Sequence, residues 1–153
     1  MASPARSRIV AAELPGRVEA EADLRARFRS SARSVAVVVS VDRLELLERR
    51  LGAEASGRAQ ALVLDRLALL MTGRDRCYRW SGAAFLLLMD RTEPLARVAA
   101  DVRLALDPLP PLELEHSAGR LSCSSSAFVV DDAPSALALV RRMELFLGTV
   151  HTG

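Results

Sequence analysis

The chain has 153 residues, half of them hydrophobic, and a formal net charge of +2. That length supports one domain with a real core and leaves no room for two comfortable ones, and the apolar content excludes disorder for its body. The small charge gives no argument for nucleic acid, no apolar run reaches membrane-spanning length, and the opening MASPARSR lacks the apolar core of a signal peptide. A cytoplasmic domain with neither nucleic-acid nor membrane partners is expected.

Residues 1–8 are small and basic and read as a frayed tail ahead of a single domain over 9–153. Pro15-Gly16 bends into a charged helix reaching about Ala32. SVAVVVSV, 34–41, is branched and apolar throughout, as a strand covered on both faces should be. In DRLELLERRLG, Leu44, Leu47 and Leu51 share a helical face and Gly52 is placed to end the helix. A second helix runs from about Gly57 to Leu70, burying Leu62, Val63, Leu67 and Leu70. Two strand-like runs, Cys77–Trp80 and Ala83–Met89, then meet at Ser81-Gly82, which reads as a hairpin with Gly82 at positive φ. A helix over 93–106 follows, with Thr92 as N-cap and Leu95, Val98, Ala99 and Val102 inward. After the rigid DPLPPL loop, LELEHS and RLSCSSSAFVV alternate like strands paired across an Ala118-Gly119 turn. The last helix opens at Asp132-Ala133-Pro134 and carries Leu137, Val140 and Leu147 inward. This order predicts an α+β domain, a mainly antiparallel central sheet flanked by helices.

Every basic side chain other than histidine is arginine, which excludes a P-loop or Schiff-base lysine. Cys77 and Cys123 stand apart in strand-like runs and read as reduced, buried thiols. His116 and His151 have no thiol-plus-carboxylate company, so neither reads as a catalytic or metal-binding group. SCSSS, 122–126, lacks a nucleophile elbow, and Asp131-Asp132 reads as a helix start.

The order of elements, with a hairpin near the centre, resembles the GGDEF domain, the catalytic module of diguanylate cyclases. LPGR at 14–17 looks like that family's LPNR opening, and VVVSVDRLELLERRLG is similar to its DxDxFKxxNDxxGH segment. YRWSGAAF resembles RxGGDEF, keeping Arg79, Gly82 and Phe85, with Ser81 at the motif's first letter. LSCSSSAF and RRMELFLGT fall where the family's vTvSiGvA and ADxALYxAK fall. Each match is weak alone; together, in order and at family spacing, they are specific. The resemblance implies a palm-like sheet with a ferredoxin-like core. An unrelated ferredoxin-like domain is the competing reading.

The resemblance also implies where chemistry is missing. Active members hold divalent metals with the first Asp of DxD and the third letter of GGDEF, positions that are Ser40 and Ala83 here. Asp42 keeps the second Asp, and Ala84 replaces the motif's remaining carboxylate. A hard cation needs several oxygen ligands, and without one the phosphate charge and the attacking hydroxyl go unassisted. The family's guanine-reading Asn and Asp fall on Glu48 and Gly57, its phosphate-binding Lys on Glu45, and its late Lys on Thr149. Its product-binding inhibitory RxxD falls on 72–75, with Thr72 in place of the Arg and Asp75 kept. Tyr78 and Trp80 lie on one strand face, and Trp80 either anchors a partner or packs against its own domain.

These features lead us to expect a catalytically inactive GGDEF-like domain, without cofactor, that serves as a regulatory or protein-interaction module in bacterial cyclic-di-GMP-type signalling. A protein partner or homodimer is expected, with nucleotide binding weak or absent. The alternative is a sensor that binds GTP or cyclic di-GMP without turnover.

Overall fold

Five valines in eight residues make 34–41 stiff and extended, and in the folded chain this stretch is the central strand β1 (Ser34–Val41), buried at every position. A computed structural model of the chain describes residues 11–114 and 117–152, and the side chains at 114, 117, 118, 151 and 152 lie outside that description. β1 pairs antiparallel with β3 (Ala84–Asp90) on one side and with β6 (Cys123–Val129) on the other. β2 (Arg76–Ser81) completes a four-stranded sheet in the order β2-β3-β1-β6. That is the strand order of a ferredoxin-like core. Two three-residue strands, β4 (Leu112–Leu114) and β5 (Ser117–Gly119), form a separate ribbon.

The two-residue period of β1 sorts the helices onto two layers. Val35, Val37, Val39 and Val41 face α2 (Leu44–Leu51), α3 (Ala53–Ala68) and α4 (Leu95–Leu106), meeting Leu44, Val63, Leu64, Leu67, Val98 and Val102. Ala36 and Val38 face the opposite way, toward α1 (Arg17–Phe28) and α5 (Ala136–Thr152), where Leu24, Leu139, Met143 and Leu147 pack. A strand with helices on both faces has no solvent side, which is why β1 shows no polar alternation.

Several local expectations are corrected. The α1 helix ends at Phe28 rather than near Ala32. The α3 helix begins at Ala53, ahead of Gly57, because Gly52 at φ 94° breaks the chain between two helices within one residue. Its buried stripe holds Val63 and Leu67 but also Ala59 and Leu64, while Leu62 and Leu70 are only partly covered. The α4 helix starts at Leu95 with Pro94 before it, so Thr92 is not the cap, and Leu106 joins Val98 and Val102 in the core. Ala118 and Gly119 belong to β5 rather than to a turn, and Cys123–Val129 pairs with β1 instead of with 112–117. The α5 helix begins after Pro134, where Ser135 Oγ accepts from Ala138 N–H at 3.1 Å, and Leu137 points outward, 60 % exposed. The expected tail over 1–8, His116 and the His151 side chain lie outside the described residues. Among those residues no helix is long and apolar enough to cross a membrane.

Candidate functional site

The β2–β3 hairpin closes between Ser81 and Ala84, which pair directly, so the turn is Gly82-Ala83 rather than Ser81-Gly82. Gly82 does not take a positive φ; among described glycines only Gly52 and Gly73 do. A register shift between Arg79 and Ser81 supplies the extra twist instead. Arg79 fastens this tip: its guanidinium donates to Gln60 Oε1 on α3 at 2.6 Å and to the Gly82 carbonyl at 3.3 Å, and lies 5.1 Å from the Phe85 ring centroid. Phe85 is fully buried, and Arg79 N–H donates to the Pro15 carbonyl at 2.9 Å, so the LPGR segment guards the sheet edge.

The sheet register brings the candidate metal positions together. Ser40 at the end of β1 pairs with Ala84, and Val41 N–H donates to the Ala83 carbonyl at 2.9 Å. Ser40, Ala83 and Ala84 are all buried, and none offers a carboxylate. Asp42, the remaining acid, is committed elsewhere. Its carboxylate accepts from Ser122 Oγ at 2.7 Å and Ser124 Oγ at 2.8 Å, two neighbours from the start of β6. Among the described residues no three His, Cys, Asp or Glu side chains are grouped to hold a metal. A hydroxyl, two methyl groups and one doubly bonded carboxylate do not fit a divalent cation.

The other positions scatter over exposed surface. Glu45 lies on the outer side of α2, 85 % exposed, 3.9 Å from Arg49. Glu48 is exposed on the same side, and Gly57 is exposed on α3. Thr149 Oγ1 donates back to the Phe146 carbonyl at 2.7 Å.

Asp75 is not a ligand waiting on the surface. It is buried and accepts from Thr72 N–H at 2.8 Å and Asp90 N–H at 3.2 Å. The Arg91 guanidinium bonds both its oxygens, at 3.1 and 2.8 Å. This fork ties the loop before β2 to the end of β3. Tyr78 and Trp80 share one face, as the strand period requires, but both are buried under α1 and α5. The Tyr78 hydroxyl donates to Asp23 Oδ2 at 2.7 Å, and burial followed by that bond raises its pKa. The Arg17 guanidinium sits 4.3 Å from the Trp80 ring centroid and covers it. Neither aromatic is the open anchor that the sequence allowed.

Sequence reasoning missed the polar brace behind these aromatics. Arg27 bonds Asp23 on its own helix, Ser34 on β1 and Asp90 on β3, the last at 2.9 Å. The i,i+4 spacing of Asp23 and Arg27 was a visible signal; the long-range partners were not.

Both cysteines are free, Cys77 buried and Cys123 half-buried. Burial pushes each thiol up to about 12 from an ordinary 9.0, with the Asp42 carboxylate adding to the effect at Cys123 and Arg79 opposing it at Cys77. At pH 8 only about one thiol in ten thousand is then ionised, so alkylation of the native protein is expected to be slow and to become fast on denaturation. The raised values also set a pH dependence. Native thiols keep protons that the unfolded chain releases, so stability is full below about pH 9 and declines as pH rises toward 12. Denaturant midpoints at pH 7 and pH 10.5 check this; equal midpoints would contradict it.

No protein-family model matches the sequence, and no curated protein matches it. Solved structures do. The GGDEF domain of YfiN (TpbB) from Pseudomonas aeruginosa superposes with a TM-score of 0.77 at 18 % identity, covering 92 % of each chain. The GGDEF domain of DgcB from Caulobacter crescentus, solved in complex with c-di-GMP, gives 0.77 at 15 % identity over 100 % of this chain and 94 % of that one. Diguanylate cyclase SiaD from P. aeruginosa, solved with its activator SiaC, gives 0.75 at 21 % identity. There 91 % of this chain covers 55 % of the larger protein. At such identities the likeness is one of architecture, and the sheet order, the two helical layers and the central hairpin agree with it: the chain has the GGDEF-domain fold.

Proposed function

We propose that this protein is a catalytically silent GGDEF-type domain that acts as a regulatory or protein-interaction module in cyclic-di-GMP-type signalling. One observation carries the reading. The register that sets the end of β1 against the hairpin tip places Ser40 beside Ala84, with Ala83 next in the turn, where phosphoryl transfer would need carboxylates. Asp42, held by two serine hydroxyls, does not replace them. The context in signalling rests on shared architecture with DgcB and SiaD, and a role through association is in keeping with the SiaD–SiaC complex.

Incubated with GTP and Mn²⁺, the protein is expected to yield no cyclic di-GMP above a buffer blank. Ala83→Asp alone should not restore turnover, since Ser40, Glu45 and Gly57 stay as they are. Product scaling with protein concentration would overturn the proposal. For nucleotides, Glu45 and the missing lysines predict dissociation constants above about 100 μM, less than roughly 5.5 kcal/mol of binding. Glu48 is the one replacement able to accept from guanine N–H groups, so guanosine should bind better than GTP. Micromolar binding of GTP or cyclic di-GMP in calorimetry would favour a sensor instead.

A further inference from the structure

The α2 helix has two unlike sides. Glu45, Glu48 and Arg49 are exposed on one side, whereas Arg43, Leu46, Leu47, Arg50 and Leu51 lie on the other and line a cavity of about 750 Å³. The segment Arg120–Ser122, Ser124 and Val150 of α5 complete its lining. The volume lies within the range of small-molecule sites.

The charges in this cavity are unmatched. Among the described residues, Arg43, Arg50 and Arg120 have no carboxylate within ion-pair reach. Among the described residues the only acid in the lining is Asp42, and its oxygens accept from Ser122 and Ser124. Three guanidinium groups against one carboxylate leave the described lining two positive charges in excess. Beneath them Leu46, Leu47, Leu51 and Leu121 form an apolar floor; Leu46 is 39 % and Leu51 48 % exposed. Arg43 itself is held at φ 58°, a conformation that costs a residue with a Cβ, and it lines the cavity.

We infer that this cavity binds a small-molecule phosphate monoester with an apolar or aromatic body. A monoester carries about two negative charges and three acceptor oxygens, which matches the charge excess and the guanidinium forks. The leucine floor would cover the organic part, which inorganic phosphate lacks. The cavity lies on the side of α2 opposite Glu45 and Glu48, and it meets the emptied metal position only at Asp42.

Calorimetry on the full chain with 1-naphthyl phosphate, inorganic phosphate and 1-naphthol tests this. We expect saturable one-to-one binding of naphthyl phosphate, with the other two weaker by at least about tenfold. Arg50→Gln and Arg120→Gln should each weaken it about tenfold, as loss of a charge-assisted bond does. Leu46→Ser should weaken naphthyl phosphate while leaving inorganic phosphate unchanged. Arg49→Gln, on the other side of the same helix, should change nothing. All four side chains are exposed, so folding is not at stake. Absence of saturation, equal affinity for inorganic phosphate, or affinity indifferent to the Arg50→Gln/Arg120→Gln double variant would overturn the inference.

Discussion

Replacing Asp75 by alanine is expected to lower stability by about 3–5 kcal/mol, the usual cost of removing one partner from a buried ion pair. The Asp75 side chain is 2 % exposed and that of Arg91 18 %, so the carboxylate has almost no water to fall back on and the guanidinium only a little. Loss of the carboxylate also strands the N–H groups of Thr72 and Asp90. Arg91→Ala should cost a similar amount for the converse reason, a bare carboxylate left inside. The double variant should cost less than the sum, because each single change removes the same pair. Urea denaturation followed by circular dichroism measures all three. A loss below about 1 kcal/mol for Asp75→Ala would mean that the group is solvated after all. It would then reopen the reading of Asp75 as a remnant of the product-binding motif.

The second large effect is at Trp80. Truncation to alanine should cost about 3–5 kcal/mol, since it empties a large volume between β2, α1 and α5. It also removes the ring on which Arg17 rests while that arginine holds Glu144 of α5 at 2.6 Å. Trp80→Phe is the informative contrast. The indole Nε1 is buried without a hydrogen-bond partner among the described residues, an arrangement that costs roughly 1–3 kcal/mol. Phenylalanine gives up some packing but removes that orphan donor, so its net change should stay within about 1 kcal/mol. Light scattering on the Phe variant should show the parent's association state. An alanine variant that stays as stable as the parent and loses association would show Trp80 to be a partner contact.

These two residues also mark how far the sequence could be read. The layer architecture was legible because SVAVVVSV has no polar alternation, and a strand of that kind needs cover on both faces. The helices were legible from period, yet their ends were not. Gly57 looked like a start and lies inside α3, whereas Pro134 looked like the first turn and lies before it. Boundaries depend on single-residue conformations such as the φ of Gly52, which spacing does not reveal. The lost carboxylates at 40, 83 and 84 were readable by position. What Asp42 and Asp75 do instead was not, since Ser122, Ser124 and Arg91 reach them across the fold. Whether an aromatic on a strand faces a partner or its own helices is likewise decided by what packs over it, and for Trp80 that is Arg17.

The pairing of β1 bears on the order in which the chain gains its shape. Neither neighbour of β1 in the sheet is its neighbour in sequence: Ser40 meets Ala84, and Val35 meets Val129. Within the four-stranded sheet, among the described residues, only β2 and β3 are joined by a tight turn and form without closing a long loop. This hairpin, with Gly82, Ala83 and Ala84 at its tip, is therefore the local piece of sheet on which β1 can dock, and the β1–β6 ladder closes a longer loop still. Until then β1 is a branched aliphatic edge open to any other strand, including β1 of a second nascent chain. Refolding yield should accordingly fall with protein concentration long before native stability does.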